Sequence, residues 1–198
     1  VIELSRSHDH VGLFGRRVFD VETAAGILCD DWRAVRPQHK PVLGIADGPL
    51  LDHVEPAARA HFAATCEQLQ QAGYSVQRVP AMPDFDEIRR QHLILLAADA
   101  AAYHAQFAAW HVRYHARTRS LIEEGALYGP AEIAPAREAK TTLRNHLTSL
   151  MTLHGLDFWI TPSAPGPAPE GLASTGDPVL NLPFTNAGLP TLTIPTGT

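Results

Sequence analysis

Between Pro41 and Pro80 the order of elements is set by where apolar runs begin and end. Val42-Leu43-Gly44-Ile45-Ala46 is a short apolar run between Pro41 and the Asp47-Gly48-Pro49 turn, the pattern of a buried strand. Asp52 and Glu55 then stand at D-x-x-E spacing, which suits a reciprocal helix cap. Val54, Ala58, Phe62, Cys66 and Leu69 recur on one helical stripe over about residues 53–72. Gly73 is placed to stop that helix, and Tyr74–Val79 reads as a second strand. Strand, helix and strand in this order join parallel neighbours. The expected fold class is therefore α/β, with a mixed, partly parallel sheet flanked by helices.

The rest of the chain fits around that unit. Val1 to Phe14 reads as irregular, and Val18, Val21, Ala25 and Leu28 predict a helix over about 17–30. A second capping pair, Asp84 and Glu87, opens a stretch without Gly or Pro until Gly125. One unbroken helix of that length is unusual in a globular domain, so a bend or break is expected within it. Pro130 opens a helix to about His154, with Leu143, Leu147, Leu150 and Met151 on its apolar face and Gly155 as its stop. Phe158-Trp159-Ile160 predicts a short core strand, followed by a Pro/Gly-rich loop through Asp177 and a last short strand at Leu192–Ile194.

Bulk properties narrow the function classes. A length of 198 residues suits one domain, and 45% apolar with 19% charged residues is ordinary for a globular chain. A net charge of −5 leaves no footprint for nucleic acid or an acidic membrane. No apolar run of about 18 residues suggests a membrane span, and no leader pattern opens the chain. Cys29 and Cys66 match no metal or redox spacing; both read as small buried apolar groups in a reducing, cytoplasmic setting. Lys40 and Lys140 are the only lysines among sixteen basic residues.

Two constellations invite chemistry. On an ideal helix His104, His111 and His115 fall within about 40° of one another, and His111 and His115 have the i, i+4 spacing of paired metal ligands. No Glu follows the first of these, as an H-E-x-x-H site requires, and Tyr103, Phe107, Trp110 and Tyr114 form an aromatic stripe beside them. An inward aromatic face with a His-rich flank is the simpler reading. A Ser-His-Asp triad has no supporting context such as a G-x-S-x-G elbow.

The second constellation is the C-terminal stretch. Thr161-Pro162 follows an apolar strand, at the end where open α/β sheets place ligands. Gly176-Asp177 lies in the loop, and Asn186-Ala187-Gly188-Leu189-Pro190 precedes Thr191-Leu192-Thr193-Ile194-Pro195-Thr196-Gly197-Thr198. This succession is similar to the C-terminal part of the amidase signature family, serine hydrolases that cleave amide bonds. Near the other end, Ser7-His8-Asp9-His10-Val11-Gly12 and Arg17-Val18-Phe19-Asp20 resemble the family's Ser-Leu-Asp-Thr-Val-Gly and Arg-Ser-Val-x-Asp elements. His8 replaces the usual Leu, and the Ser of the second element is absent.

The resemblance implies residues Thr161, Pro162, Asp177 and Asn186 near a substrate mouth, with Gly188 giving close backbone access. It implies hydrolysis of a small-molecule carboxamide to an acid and an amine or ammonia, without metal or organic cofactor. Family chemistry uses a Ser nucleophile, a second Ser in a cis peptide and a Lys that draws the proton away. None of the seven serines here lies in a Gly/Ser-rich run, so no catalytic residue is assigned in this chain. By family order those groups precede Val1, and the chain stops short of the family's last strand and helix. Residues 1–198 are therefore expected to be a single partial amidase-like domain, inactive alone and prone to self-association through exposed sheet edges. A non-catalytic binding module or pseudoenzyme, and less so a metal-binding helical domain built on the His face, are the alternatives.

Overall fold

The structure, a computed structural model, describes residues 2–197; Val1 and Thr198, the last residue of the C-terminal stretch of the resemblance, lie outside the described residues. Its centre is the βαβ unit. β1 (Val42–Asp47) is flanked on one side by β2 (Ser75–Pro80) and on the other by β3 (Phe158–Ile160), with both pairings parallel. Val42 pairs with Ser75 and Asp47 with Pro80; Leu43 pairs with Phe158 and Ile45 with Ile160. As the middle strand, β1 is buried on both faces, which is why its apolar run is unbroken. Gly44 is needed there, because a Cβ would strike the Leu156 side chain and press on the Trp159 ring.

Helices cover this sheet. α1 (Val18–Leu28) precedes it, and α2 (Pro56–Gln71) links β1 to β2 after a 3₁₀ turn at Pro49–His53. α3 (Phe85–His104) is the most buried helix, carrying Phe85, Ile88, Ile94, Leu95 and a run of buried alanines. The expected break follows: a 3₁₀ segment, Ala105–Arg113, leaves helical geometry at Phe107 before α4 (Ala116–Gly125) reverses the chain. α4 packs tightly on α3 because Gly125 sits against the Ala97 carbonyl, where any Cβ would overlap backbone. α5 (Pro130–His154) and the short α6 (Leu182–Ala187) complete the layer, with Leu147, Leu180 and Phe184 in the main core beside Leu50 and Met82.

Several local expectations need correction. Asp52 lies inside the 3₁₀ turn and Glu55 alone precedes α2, so their capping box does not form. Asp84 does precede α3, but its side chain makes no cap; Glu87 instead accepts from Arg90 and Gln91, which hold its carboxyl down to about 2. Cys66 is buried as expected, whereas Cys29 is exposed just beyond α1. Leu192–Ile194 forms no strand. It has no partner strand, leaves Leu192 and Ile194 exposed, and is followed by Thr196, whose hydroxyl meets His61 Nε2 at 2.9 Å.

Candidate functional site

Because the three strands are parallel, Asp47, Pro80 and Thr161 bring their C-terminal ends to one edge of the sheet. A cavity of about 850 Å³ opens there between the sheet and α2. Ile45, Val76 and Phe62 give it apolar walls, and Pro162 forms part of its rim. Both lining arginines are engaged: Arg78 donates to Asp47 at 2.7 Å, and Arg59 donates to the Leu51 carbonyl while lying 3.4 Å from Asp52. Asp47 raises the Arg78 pKa further, so this guanidinium is a fixed cation. Cys66 also lines the cavity, but burial pushes its thiol up, only partly opposed by Arg78. A protonated, buried thiol is a wall and not a nucleophile.

A second polar centre lies where residues 4–10 cross α3, α5 and α6. Ser5, with no exposed surface, donates its hydroxyl to Asp99 Oδ2 at 2.9 Å and sits 3.0 Å from His8 Nδ1. The Ser7 amide donates to the same carboxylate oxygen at 2.9 Å, and Lys140 donates to the Ser7 carbonyl. His8 Nε2 meets Asn186 Oδ1 at 3.2 Å, and the His8 ring packs on His92 with centroids 4.2 Å apart. Burial alone would raise Asp99, but hydrogen bonds from Ser7 and Ser5 and the nearby His8 outweigh it and hold the carboxyl below its usual range. Burial lowers Lys140, with Asp99 opposing. Burial likewise lowers His8, and it takes His92 down to about 3, helped by His8 and Lys140.

Ser5, His8 and Asp99 therefore do meet, although not as a hydrolytic triad. The hydroxyl is fully buried and already given to the carboxylate, so no substrate carbonyl has a path to it. Lys140 serves a backbone oxygen and not a hydroxyl.

The five sequence-derived candidates separate. Thr161 and Pro162 do stand at the strand ends, but the Thr161 hydroxyl donates to the Pro162 carbonyl at 2.9 Å and closes its own loop. Asp177 accepts the Val179 amide at 2.9 Å and shapes the turn into α6. Asn186 is on α6, 1% exposed, with its oxygen on His8 and its Nδ2 without a protein partner. Gly188 adopts φ 64° and terminates α6, the role for which its freedom is used. The Asn181 amide donates to the Ser163 carbonyl at 2.9 Å, tying the loop after β3 to the start of α6.

The histidine face dissolves at the break after α3. His104 Nδ1 pairs with the Tyr114 hydroxyl at 2.9 Å, His111 Nε2 donates to the His104 carbonyl at 3.0 Å, and His115 Nδ1 accepts the Arg117 amide at the start of α4. Among the described residues no three His, Cys, Asp or Glu side chains are gathered for a metal ion. Among the described residues no helix is long and apolar enough to cross a membrane. Residues that sequence reasoning missed are Ser5, His92, Asp99 and Lys140. One signal was available: Asp99 is a lone charge inside an alanine-rich run, where a partner is required.

No protein-family model and no curated protein matches the sequence significantly. Fourteen chains of solved structures do match in three dimensions. One, a crystal structure of an amidase, superposes with a TM-score of 0.82 at 24% identity, covering 97% of this chain and 48% of the amidase chain. Two others come from a vestigial protein complex described as revealing the evolutionary origins of an s-triazine catabolic enzyme. The inhibitor-bound form gives 20% identity and a TM-score of 0.60 over 75% of this chain and 34% of its own. The other form gives 20% and 0.61 over 82% and 39%. This chain thus spans about half the length of the amidase and less of the other two. At such identities the likeness speaks for the fold alone, and over nearly its whole length this chain takes the α/β fold of roughly half an amidase.

Proposed function

We propose that this chain is the C-terminal, substrate-shaping portion of an amidase-like serine hydrolase, which converts a small carboxamide to an acid and an amine or ammonia. The observation that carries the reading is the superposition on an amidase over 97% of this chain but only 48% of the amidase. Thr161 and Pro162 at the strand ends, with the cavity under α2, are the proposed mouth; Asn186 lies apart from it on His8, and the start of α6 is tied to the loop after Pro162 by Asn181 donating to the Ser163 carbonyl. Asp177 and Gly188 shape the backbone on either side of α6 and keep that role. The nucleophile, its partner Ser and the Lys would come from polypeptide outside residues 1–198, so the isolated chain is inactive.

Surface chemistry supports an incomplete unit. Val18, Phe19, Ile27 and Leu28 of α1 are all more than half exposed, and large apolar side chains gathered on one uncovered helix favour a covering partner. Phe158 at the outer strand and Leu192 and Ile194 are exposed in the same way. The test is intact-mass analysis of the polypeptide isolated from its source, combined with a fluorophosphonate probe for activated serines. A mass well above 21.5 kDa, with the probe on a serine outside residues 1–198, is expected. A mass matching this chain with no labelling overturns the hydrolase and leaves a binding module built on the cavity.

A further inference from the structure

Residues 4–10 form a strap across α3, α5 and α6. Asp9 shapes it from within, its carboxylate accepting the amides of Leu4 and Ser5 at 2.7 and 3.2 Å. From outside it is held by the polar contacts of Asp99, Lys140 and Asn186, and by the His8 ring lying on His92. Both rings are buried, His8 at 6% exposure and His92 at 7%.

The hydrogen bonds constrain the protons. Ser5 has one hydroxyl proton, and it goes to Asp99. His8 Nδ1 must then carry a proton and donate it to Ser5 Oγ. In neutral His8 this leaves Nε2 a bare acceptor beside Asn186 Oδ1, a contact that requires the amide to turn its NH₂ toward the ring. A protonated His8 is also accommodated, with the Asn186 oxygen as acceptor. His92 has no such latitude: its Nδ1 is buried with no partner, and a proton there finds no acceptor. Two imidazoles at 4.2 Å cannot both be cations without strong repulsion.

We propose that residues 4–10 are a proton-sensitive strap, seated while the His92 ring, tilted against His8, is neutral and released as His92 takes up a proton. Every neighbouring element contributes to this balance. Lys140 of α5 opposes a proton on either ring, and His8 opposes one on His92; Asp99 of α3 and Asp9 within the strap favour one on His8, and the Asn186 side chain of α6 favours one on both. Arg137 of α5, 4.0 Å from Asp99, competes for the same carboxylate. Once the strap lifts, both rings meet water and return toward 6.5. A ring whose pKa is lower when seated favours seating above that value. Seating is therefore complete above about pH 6.5 and weakens as pH falls below it.

The experiment is hydrogen exchange on the intact 198-residue chain between pH 8 and pH 5, corrected for intrinsic exchange rates, comparing strap amides with those of β1. With His92 at about 3 when seated and 6.5 when released, strap protection should be about thirtyfold lower at pH 5 than at pH 8, with β1 unchanged. His92→Phe keeps a flat ring and removes the proton site, so its strap should lose most of that pH dependence. His92→Gln provides the same reading if the Phe variant fails to fold. Protection that is flat with pH in the wild type overturns the strap. So does an equal fall in the variants, or β1 opening in step with residues 4–10.

Discussion

The Ser5 hydroxyl donates to Asp99 Oδ2 across 2.9 Å, joining positions 94 residues apart. That carboxylate also takes the Ser7 amide, so it is the anion around which the N-terminal segment is folded back onto α3. Asp99→Asn keeps the shape but turns two charge-assisted hydrogen bonds into neutral ones. A loss of about 1–3 kcal/mol in urea unfolding is expected, together with weaker strap protection. Because the Asp99 pKa is depressed, its contribution is full above the usual carboxylate value and is lost as pH falls further. The variant should therefore lack the last part of the wild-type acid limb.

Leu147 is fully buried on α5 in the main core. Leu147→Ala removes packing against the sheet side of the fold and should cost about 2–5 kcal/mol, read as a lower urea midpoint at unchanged slope.

Gly125 touches the Ala97 carbonyl where α4 crosses α3. Gly125→Ala places a methyl into backbone that cannot yield without parting the helices. A cost of about 1–3 kcal/mol is expected, with increased exchange in both helices, although alanine is the better helix former.

The exposed apolar residues of α1 should make the isolated chain self-associate. Sedimentation velocity should show weight-average mass rising with concentration, and Phe19→Asp with Ile27→Asp should suppress the rise. A monomer that persists at high concentration would count against an uncovered α1.

If the cavity under α2 is the mouth of a carboxamide site, a small aryl carboxamide should show saturation transfer in ligand-observed NMR at millimolar concentration. Ala63 is exposed on α2 and lines that cavity. Ala63→Trp should fill it and remove the signal without lowering stability. Transfer that survives in the variant would move the binding surface elsewhere.

Elements with local signals were legible in the sequence. β1, α2, β2, α5 and β3 are each bounded by Pro or Gly and carry a stripe or run that only one geometry buries. The break after α3 was legible from length alone. α6 was not, because six residues opening on Leu182-Pro183 lack a full amphipathic period. Asn186 was singled out for a substrate mouth, yet its observed partner is His8. Thr161 and Pro162 reached the expected strand ends because that follows from β3 being parallel. What stayed hidden were contacts between distant positions, such as Lys140 with Ser7, which no periodicity encodes.

The span between His8 and Asn186 sets an order of events during synthesis. These partners are 178 residues apart, and a ribosome adding about 5–20 residues per second needs roughly ten to thirty-five seconds to cover that distance. For that interval residues 4–10 wait for α6. β1 and β2 meet much earlier, since only α2 and its flanking turns lie between them. A nascent chain stalled before Leu182 should thus hold a formed βαβ unit while residues 4–10 are still open to proteases and chaperones.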